Sequence, residues 1–277
     1  MKRYLLIITT VLVTLSLAHG ATPPFPGARE DFHGVALHSF PIADGKVSVL
    51  CPEVPAAGHP WVLAGSLYRL DSAPVANMTR TELELVKRGF HVVALGLGNT
   101  FGAPDALKKW DGVYKEMTGK YGLARKVALM GLSREGLPIA RWAAANLDKV
   151  ACLYMDKAVC DFKSWPGGKL GFGKGSPNDW ASLIPLYHFT SEAEALAYDQ
   201  NPVDLAPKLA AAGVAIIYLA GAKDDAVPYA ENGARMERDY RRLGGTFEVI
   251  HRKDEGHHPH GLADPTPVVD FILRHTR

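Results

Sequence analysis

A serine, an aspartate and a histidine, each just beyond an apolar run, are the residues of this chain whose types and order could do chemistry. Ser133 follows Val127 to Met130 and Gly131, and then gives way to the helical spacing of Leu137, Ile139, Ala140, Trp142 and Ala143. Strand, Gly-x-Ser, helix is the pattern of a sharp elbow that pushes a hydroxyl out at the top of a sheet. Asp224 follows the run Val214 to Ala220, and His257 follows the run Thr246 to His251. A serine hydroxyl is a poor nucleophile until a base takes its proton, and the base must be oriented by a third group. Ser133 as nucleophile, His257 as general base and then acid, and Asp224 as the group that holds the imidazole would together perform acyl transfer. Neighbours leave alternatives open: Asp225 for Asp224, His258 for His257, and Asp161 as a second place for the acid. Cys160, near a strand end, is an outside candidate for a nucleophile, whereas Cys51 and Cys152 look embedded in strands.

Acyl transfer also needs donors for the oxyanion, each worth roughly 2.7–4 kcal/mol of barrier. The backbone N–H of Arg134 is placed by the elbow itself, and a second should come from the loop after Ala64, with Ser66 or Leu67 nearest. The Arg134 side chain can reach the oxyanion or fork onto a substrate carboxylate; its alternative is a salt bridge with a neighbour such as Glu135. The loop from Asp161 to Ser176 should hang over the site, where Asp161, Lys163, Trp165, Lys169 and Lys174 suit a sugar, with lysines for a uronate. His258 and His260 join the residues placed for oxyanion or substrate contact. Gly168 to Gly175 superficially matches a phosphate loop, but Gly175 stands where Ser or Thr must meet Mg²⁺. The His257, His258 and His260 cluster lacks the Cys or carboxylate set that would complete a zinc site. The chemistry therefore calls for neither metal nor cofactor.

The elements that must position these residues follow from periodicity. Val35 to Phe40 and Lys46 to Cys51 read as a hairpin turned at Asp44-Gly45, after an extended leader from Ala21 to Arg29. Short buried strands are expected at Trp61 to Ala64, His91 to Leu97 and Val150 to Val159. Helices are expected at Thr79 to Arg88, capped by Thr79 or Thr81, and at Pro104 to Tyr121, with Trp110 in the core. Further helical pieces fall at Trp180 to Tyr187, Glu192 to Tyr198, Pro202 to Ala212, Pro228 to Leu243 and Thr266 to His275. This alternation calls for an α/β fold, a mostly parallel central sheet with helices on both faces. Ligands of such sheets sit beyond the carboxyl ends of the strands, where Ser133, Asp224 and His257 fall.

With 277 residues, 47% of them hydrophobic, the chain suits a single domain, residues 21–277, with one insertion at about 160–202 that caps the site. Residues 1–20 have a basic start, an apolar run and small residues before Ala21, and read as a secretory signal peptide. Its removal takes Lys2 and Arg3, and turns the net charge of +2 into neutrality. A neutral mature protein has no electrostatic footprint for nucleic acid or an anionic membrane. The expected location is periplasmic or secreted, and the expected partner is a small-molecule or polysaccharide ester. Three cysteines allow at most one internal disulfide.

In α/β-hydrolases the triad runs in the chain order Ser, acid, His, as here. Gly131-Leu-Ser-Arg-Glu-Gly136 resembles the Gly-x-Ser-Arg-x-Gly elbow of glucuronoyl esterases. The run Cys152 to Lys169, with Gly256-His-His-Pro-His260, is similar to secreted bacterial α/β-hydrolases akin to a pectin-methylesterase family. The likeness covers about Pro60 to Phe271. It implies the α/β-hydrolase fold and a serine esterase acting on carbohydrate-linked esters, uronate methyl or glucuronoyl esters ahead of acetyl esters. A prolyl-oligopeptidase-like peptidase and a catalytically silent carbohydrate-binding homologue are the alternatives. Two departures touch the oxyanion side: Glu135 stands where that group carries Gly, and Val62 to Arg69 lacks its arginine- and Phe-rich pattern.

Overall fold

The computed structural model describes residues 24–42, 45–68, 75–96 and 98–276. The expected signal peptide, the hairpin tip at Asp44 and the end of the strand at Leu97 lie outside the described residues.

The chain opens with β1 (Arg29–Phe32), β2 (Val35–Ile42) and β3 (Gly45–Cys51), which pair antiparallel. It continues through β4 (Trp61–Ala64), α1 (Ala76–Lys87), β5 (His91–Leu95), α2 (Pro104–Gly119), β6 (Val127–Leu132), α3 (Gly136–Ala145) and β7 (Val150–Asp156). After a long passage come α4 (Pro177–Leu186), α5 (Glu192–Ala197), α6 (Pro202–Ala211), β8 (Ala215–Gly221), α7 (Gly233–Leu243), β9 (Phe247–Arg252) and α8 (Thr266–His275). One nine-stranded sheet results, in the order β1-β2-β3-β5-β4-β6-β7-β8-β9. It is parallel from β5 to β9, and antiparallel at its first three strands and where β3 meets β5.

The strand sequences explain the layers. β6 is buried along its whole length, and its residues alternate between two cores. Val127 and Leu129 join Trp110, Ile139, Leu209 and Tyr240, so α2, α3, α6 and α7 cover one face. Ala128 and Met130 join Leu85, Val86, Val269 and Phe271, so α1 and α8 cover the other. A strand apolar at every position needs helices on both sides, and gets them.

A third apolar cluster lies outside the sheet. Phe162, Trp180, Leu183, Tyr187 and Ala195, all from the passage between β7 and α6, pack on Phe101, Leu137 and Val227. Arg141 anchors this layer from below: it donates to Tyr187 (2.9 Å) and Tyr198, and its guanidinium lies over both rings.

Several local expectations change. The leader ends in the edge strand β1, whose three exposed residues carry little hydrophobic signal. Thr79 and Thr81 cap nothing; both lie inside α1, buried, because the helix starts three residues earlier. β7 stops at Asp156, where Lys157 takes a positive φ of 45°. The helix expected from Pro228 begins at Gly233, because Asn232 turns away to bond the backbone N–H groups of Cys160 and Asp161. All three cysteines are free thiols.

Candidate active site

In the sheet order β5-β4-β6 the chain reverses direction across β4. Such a switch point opens a crevice at the strands' carboxyl ends. Here the cleft is lined by Ser66 and Tyr68 beyond β4, Leu132 to Glu135 beyond β6, Asn99, Trp165, and His257 and His258 beyond β9.

Ser133 has a φ of +50°, the left-handed region that a side-chain-bearing residue adopts at a cost of about 1–3 kcal/mol. The turn is kept because the chain around it is pinned: Val159 N–H donates to the Ser133 carbonyl (2.8 Å). Gly136 abuts the same segment so closely that a Cβ there would lie 2.5 Å from the Val159 carbonyl oxygen. The glycine that this elbow needs is therefore Gly136, and position 135 is free to carry a side chain.

Ser133 Oγ lies 2.9 Å from His257 Nε2, and His257 Nδ1 lies 2.8 Å from Asp224 Oδ2. The Asp224 carboxylate fixes the tautomer: Nδ1 carries the proton, and Nε2 presents a lone pair to the serine hydroxyl. The other Asp224 oxygen accepts from the N–H groups of Ala226 (3.0 Å) and Val227 (2.8 Å). It thus caps the turn and orients the histidine at once, with its side chain 1% exposed. The loops carrying Asp224 and His257 are sewn together by Ala222 N–H to the Arg252 carbonyl (3.0 Å) and Lys223 N–H to the Glu255 carbonyl (2.9 Å).

Behind His257 sits a second histidine–aspartate pair, wholly buried. His260 Nδ1 is 3.0 Å from Asp156 Oδ1, while Tyr154 (3.0 Å) and Gly261 N–H donate to the other oxygen. Burial acts to raise the Asp156 pKa, but the His260 imidazole, the Gly261 N–H and the nearby Lys157 ammonium outweigh it and hold the carboxyl below its ordinary value. Lys157, also buried, donates to Glu255 (3.1 Å) and to the Pro259 carbonyl (2.5 Å). This network fixes the loop from which His257 projects.

On the opposite wall, Glu135 turns toward the loop after β4. Its Oε1 accepts from the Tyr68 hydroxyl (3.1 Å), its Oε2 from the Leu132 N–H (3.2 Å), and Ser66 donates as well. Burial pushes its pKa up to about 7, against the pull of those donors and of Arg134. Glu82 of α1 is buried next to it, with neither carboxyl oxygen hydrogen-bonded among the described residues, and burial followed by the charge of Glu135 holds its pKa well above the usual range. Such a carboxyl is kept neutral.

The remaining expected residues divide. Arg134 does not bridge to Glu135; it bonds the Asn99 side chain, stacks 5.0 Å from the Trp165 ring, and lies 3.9 Å from Asp179. Trp165, Ser66 and His258 line the cleft, the last exposed and with burial by its neighbours lowering its pKa. Leu67 packs its side chain on the core beside α1. Asp225 is exposed and paired with Lys174, while it is Asp224 that bonds His257. Asp161 is neither acid nor cleft residue: it is buried under Arg235, which donates to it at 2.6 Å. Lys163 donates to the Tyr198 carbonyl (2.9 Å) and Lys169 pairs with Glu192 (2.7 Å). The lysines expected to meet a uronate are thus occupied by acids and carbonyls that sequence spacing does not reveal. His260 borders the cleft as expected, but it is buried, with Nδ1 bonded to Asp156 and its ring edge-on to His257 at 4.8 Å. Cys160 is buried with its thiol pKa pushed up by that burial, the reverse of an activated nucleophile. Asn99 follows a strand end, where the sequence places the site, but carries no sign of its role; the Asp156–Lys157 pair is missed, its one sign being an apolar strand ending abruptly in two charges.

This sheet order, crevice and elbow define the α/β-hydrolase fold, and solved structures share it. The chain is similar to dipeptidyl peptidase 4 of Porphyromonas gingivalis (TM-score 0.64, 11% identity, 88% of this chain and 36% of that one). It is also similar to a Mycobacterium tuberculosis puromycin-hydrolyzing peptidase (TM-score 0.61, 15% identity, 85% and 38%). A third is the Pyrococcus horikoshii acylaminoacyl peptidase (TM-score 0.58, 13% identity, 80% and 37%). The chain spans little more than a third of the length of these proteins, and at such identities the likeness is one of fold. No protein-family model and no curated protein matches the chain.

Proposed function

We propose that the protein is a serine hydrolase that cleaves carboxylic esters through an acyl-enzyme. The observation that carries this reading is the Asp224–His257–Ser133 relay, 2.8 and 2.9 Å between successive partners, at the strained elbow of a cleft. His257 Nε2 takes the Ser133 proton as Oγ adds to the ester carbonyl. The imidazolium, stabilised by Asp224, then gives that proton to the leaving alkoxide. Water repeats the sequence with His257 as base, and the acid leaves from Ser133. The Arg134 N–H and the Ser66–Leu67 backbone are the proposed oxyanion donors.

For the substrate we propose a carbohydrate-linked ester. A guanidinium held against the Trp165 ring, with Asn99 and His258 nearby, offers stacking and hydrogen-bonding surface to a sugar, and Arg134 could receive a uronate carboxylate. Delivery to the periplasm or medium, by way of the basic and apolar first twenty residues, fits a polymeric substrate. The second reading is a peptidase, favoured by the activities named for the structures of like fold. A fluorophosphonate probe should label the wild type and not Ser133→Ala. A panel of methyl-uronate, acetyl, feruloyl and aminoacyl-amide substrates then separates the two readings; turnover of the amides alone would sink the ester assignment.

A further inference from the structure

Resting on that serine-hydrolase reading, we propose that Glu135 is a positioning residue that straps the loop after β4 to the nucleophile elbow and so sets the separation of the two oxyanion donors. The strap is anchored at both ends. On the elbow, Glu135 Oε2 reaches back to the Leu132 N–H (3.2 Å), one residue before Ser133 and two before the Arg134 N–H. On the loop, Oε1 receives the Tyr68 hydroxyl (3.1 Å), and Ser66 bonds the same carboxyl. Between them the carboxyl packs flat on Gly65: a Cβ there would lie 2.6 Å from its Cδ and Oε1. The backbone that must supply the second donor is therefore held at van der Waals distance from the residue that follows the first.

The arrangement is possible because Gly136, not residue 135, makes the close contact with Val159. A carboxyl suits this position because it can accept from three donors at once, and an amide cannot do so without turning its NH₂ toward one of them. The groups that face it are Tyr68 from the loop, Glu82 from α1 and Arg134 beside it. Tyr68 has its pKa pushed well up, first by burial and then by the Glu135 charge, and so stays a donor. Glu82 is held neutral by its own burial, leaving Glu135 as the acceptor.

The test is steady-state kinetics of Glu135→Ala, Glu135→Gln, Tyr68→Phe and the Glu135→Ala/Tyr68→Phe double variant on whichever ester the wild type turns over. Active sites are counted from the acyl-enzyme burst. Displacing one donor rather than deleting it predicts that Glu135→Ala lowers kcat about 10²-fold, with KM within about twofold. Glu135→Gln and Tyr68→Phe should each lower kcat about tenfold, and the double variant should be no worse than Glu135→Ala, as for two ends of one contact. Wild-type kcat in Glu135→Ala overturns the strap, and so does a raised KM at unchanged kcat, which would put Glu135 on the substrate. Should Glu135→Ala fail to fold, Glu135→Gln and Tyr68→Phe, which keep the side-chain volume, decide it alone. A wild type that takes no fluorophosphonate sinks the hydrolase reading itself; a wild type that is labelled, with unimpaired Glu135 variants, sinks only the strap.

Discussion

The two walls of the cleft treat buried charge in opposite ways. Behind His257, every carboxylate meets cations or donors: Asp224 has its histidine and two N–H groups, Asp156 its histidine, tyrosine and Gly261, and Glu255 its lysine and Arg252. Behind the β4 loop, Glu135 is served by neutral donors and Glu82 by none among the described residues. On the first wall each of the three acids is met by a cation or a hydrogen-bond donor. The second holds acids whose burial pushes their pKa values up, which costs stability wherever they are forced to ionise. In the proposed reaction that cost falls on the side where a loop is held, and not on the side where a proton would be moved.

The paired wall is most sensitive at the relay. Asp224→Asn should lower kcat about 10⁴-fold by presenting the wrong tautomer, while Asp225→Asn, its exposed neighbour, should stay within about twofold. Equal losses in the two, measured on the same ester, would mean that the acid is misassigned. Next comes the support behind His257. Removing one partner of a buried pair leaves the other uncompensated, so His260→Ala should cost about 3–5 kcal/mol of stability and lose activity with it. Chemical denaturation measures this, and a variant as stable as wild type would demote the network.

The smallest effect belongs to the wall of raised pKa values. A carboxyl whose pKa rises from an ordinary value to about 7 on folding binds more protons in the folded state. Its contribution is therefore most favourable at low pH and is lost as pH rises through the interval up to about 7. Glu135→Gln, which cannot ionise, should then raise Tm relative to wild type by about 3 °C at pH 8.5 and by less at pH 5. Thermal unfolding at the two pH values checks it, and a larger gain at pH 5 would reverse the account of this wall.

Much of this is legible in the chain because it is written locally. Apolar runs of four to seven residues mark the strands, and helical spacing marks the covering face of α2 with Trp110 in the core. The order of Ser133, Asp224 and His257 at strand ends reflects a topology that brings those ends together. What escapes depends on partners far apart in sequence. Asp224 and Asp225 are alike until the fold turns one to His257 and the other to Lys174. The lysines at 163, 169 and 174 look free in the sequence because only folding makes Tyr198, Glu192 and Asp225 their neighbours. Glu135 looks like a flaw in the motif until Gly136 is seen to meet Val159. Edge strand β1, mostly solvated, offers no periodicity to read.

The passage between β7 and α6 contributes Trp165 to the cleft but none of the three relay residues. Asn232 ties its start to the sheet domain at Cys160 and Asp161, and Asn201 at its end accepts from Phe162 near its start, closing the passage on itself. Along its length it packs on Phe101, Leu137 and Val227 and is bonded by Arg141 to Tyr187 and Tyr198 and by Glu231 to Ser164 and Phe172. The passage is therefore no detachable lid: Arg141, Arg235 and Glu231 hold it to the sheet domain, so a change within residues 163–200 is felt by the segments that carry the elbow.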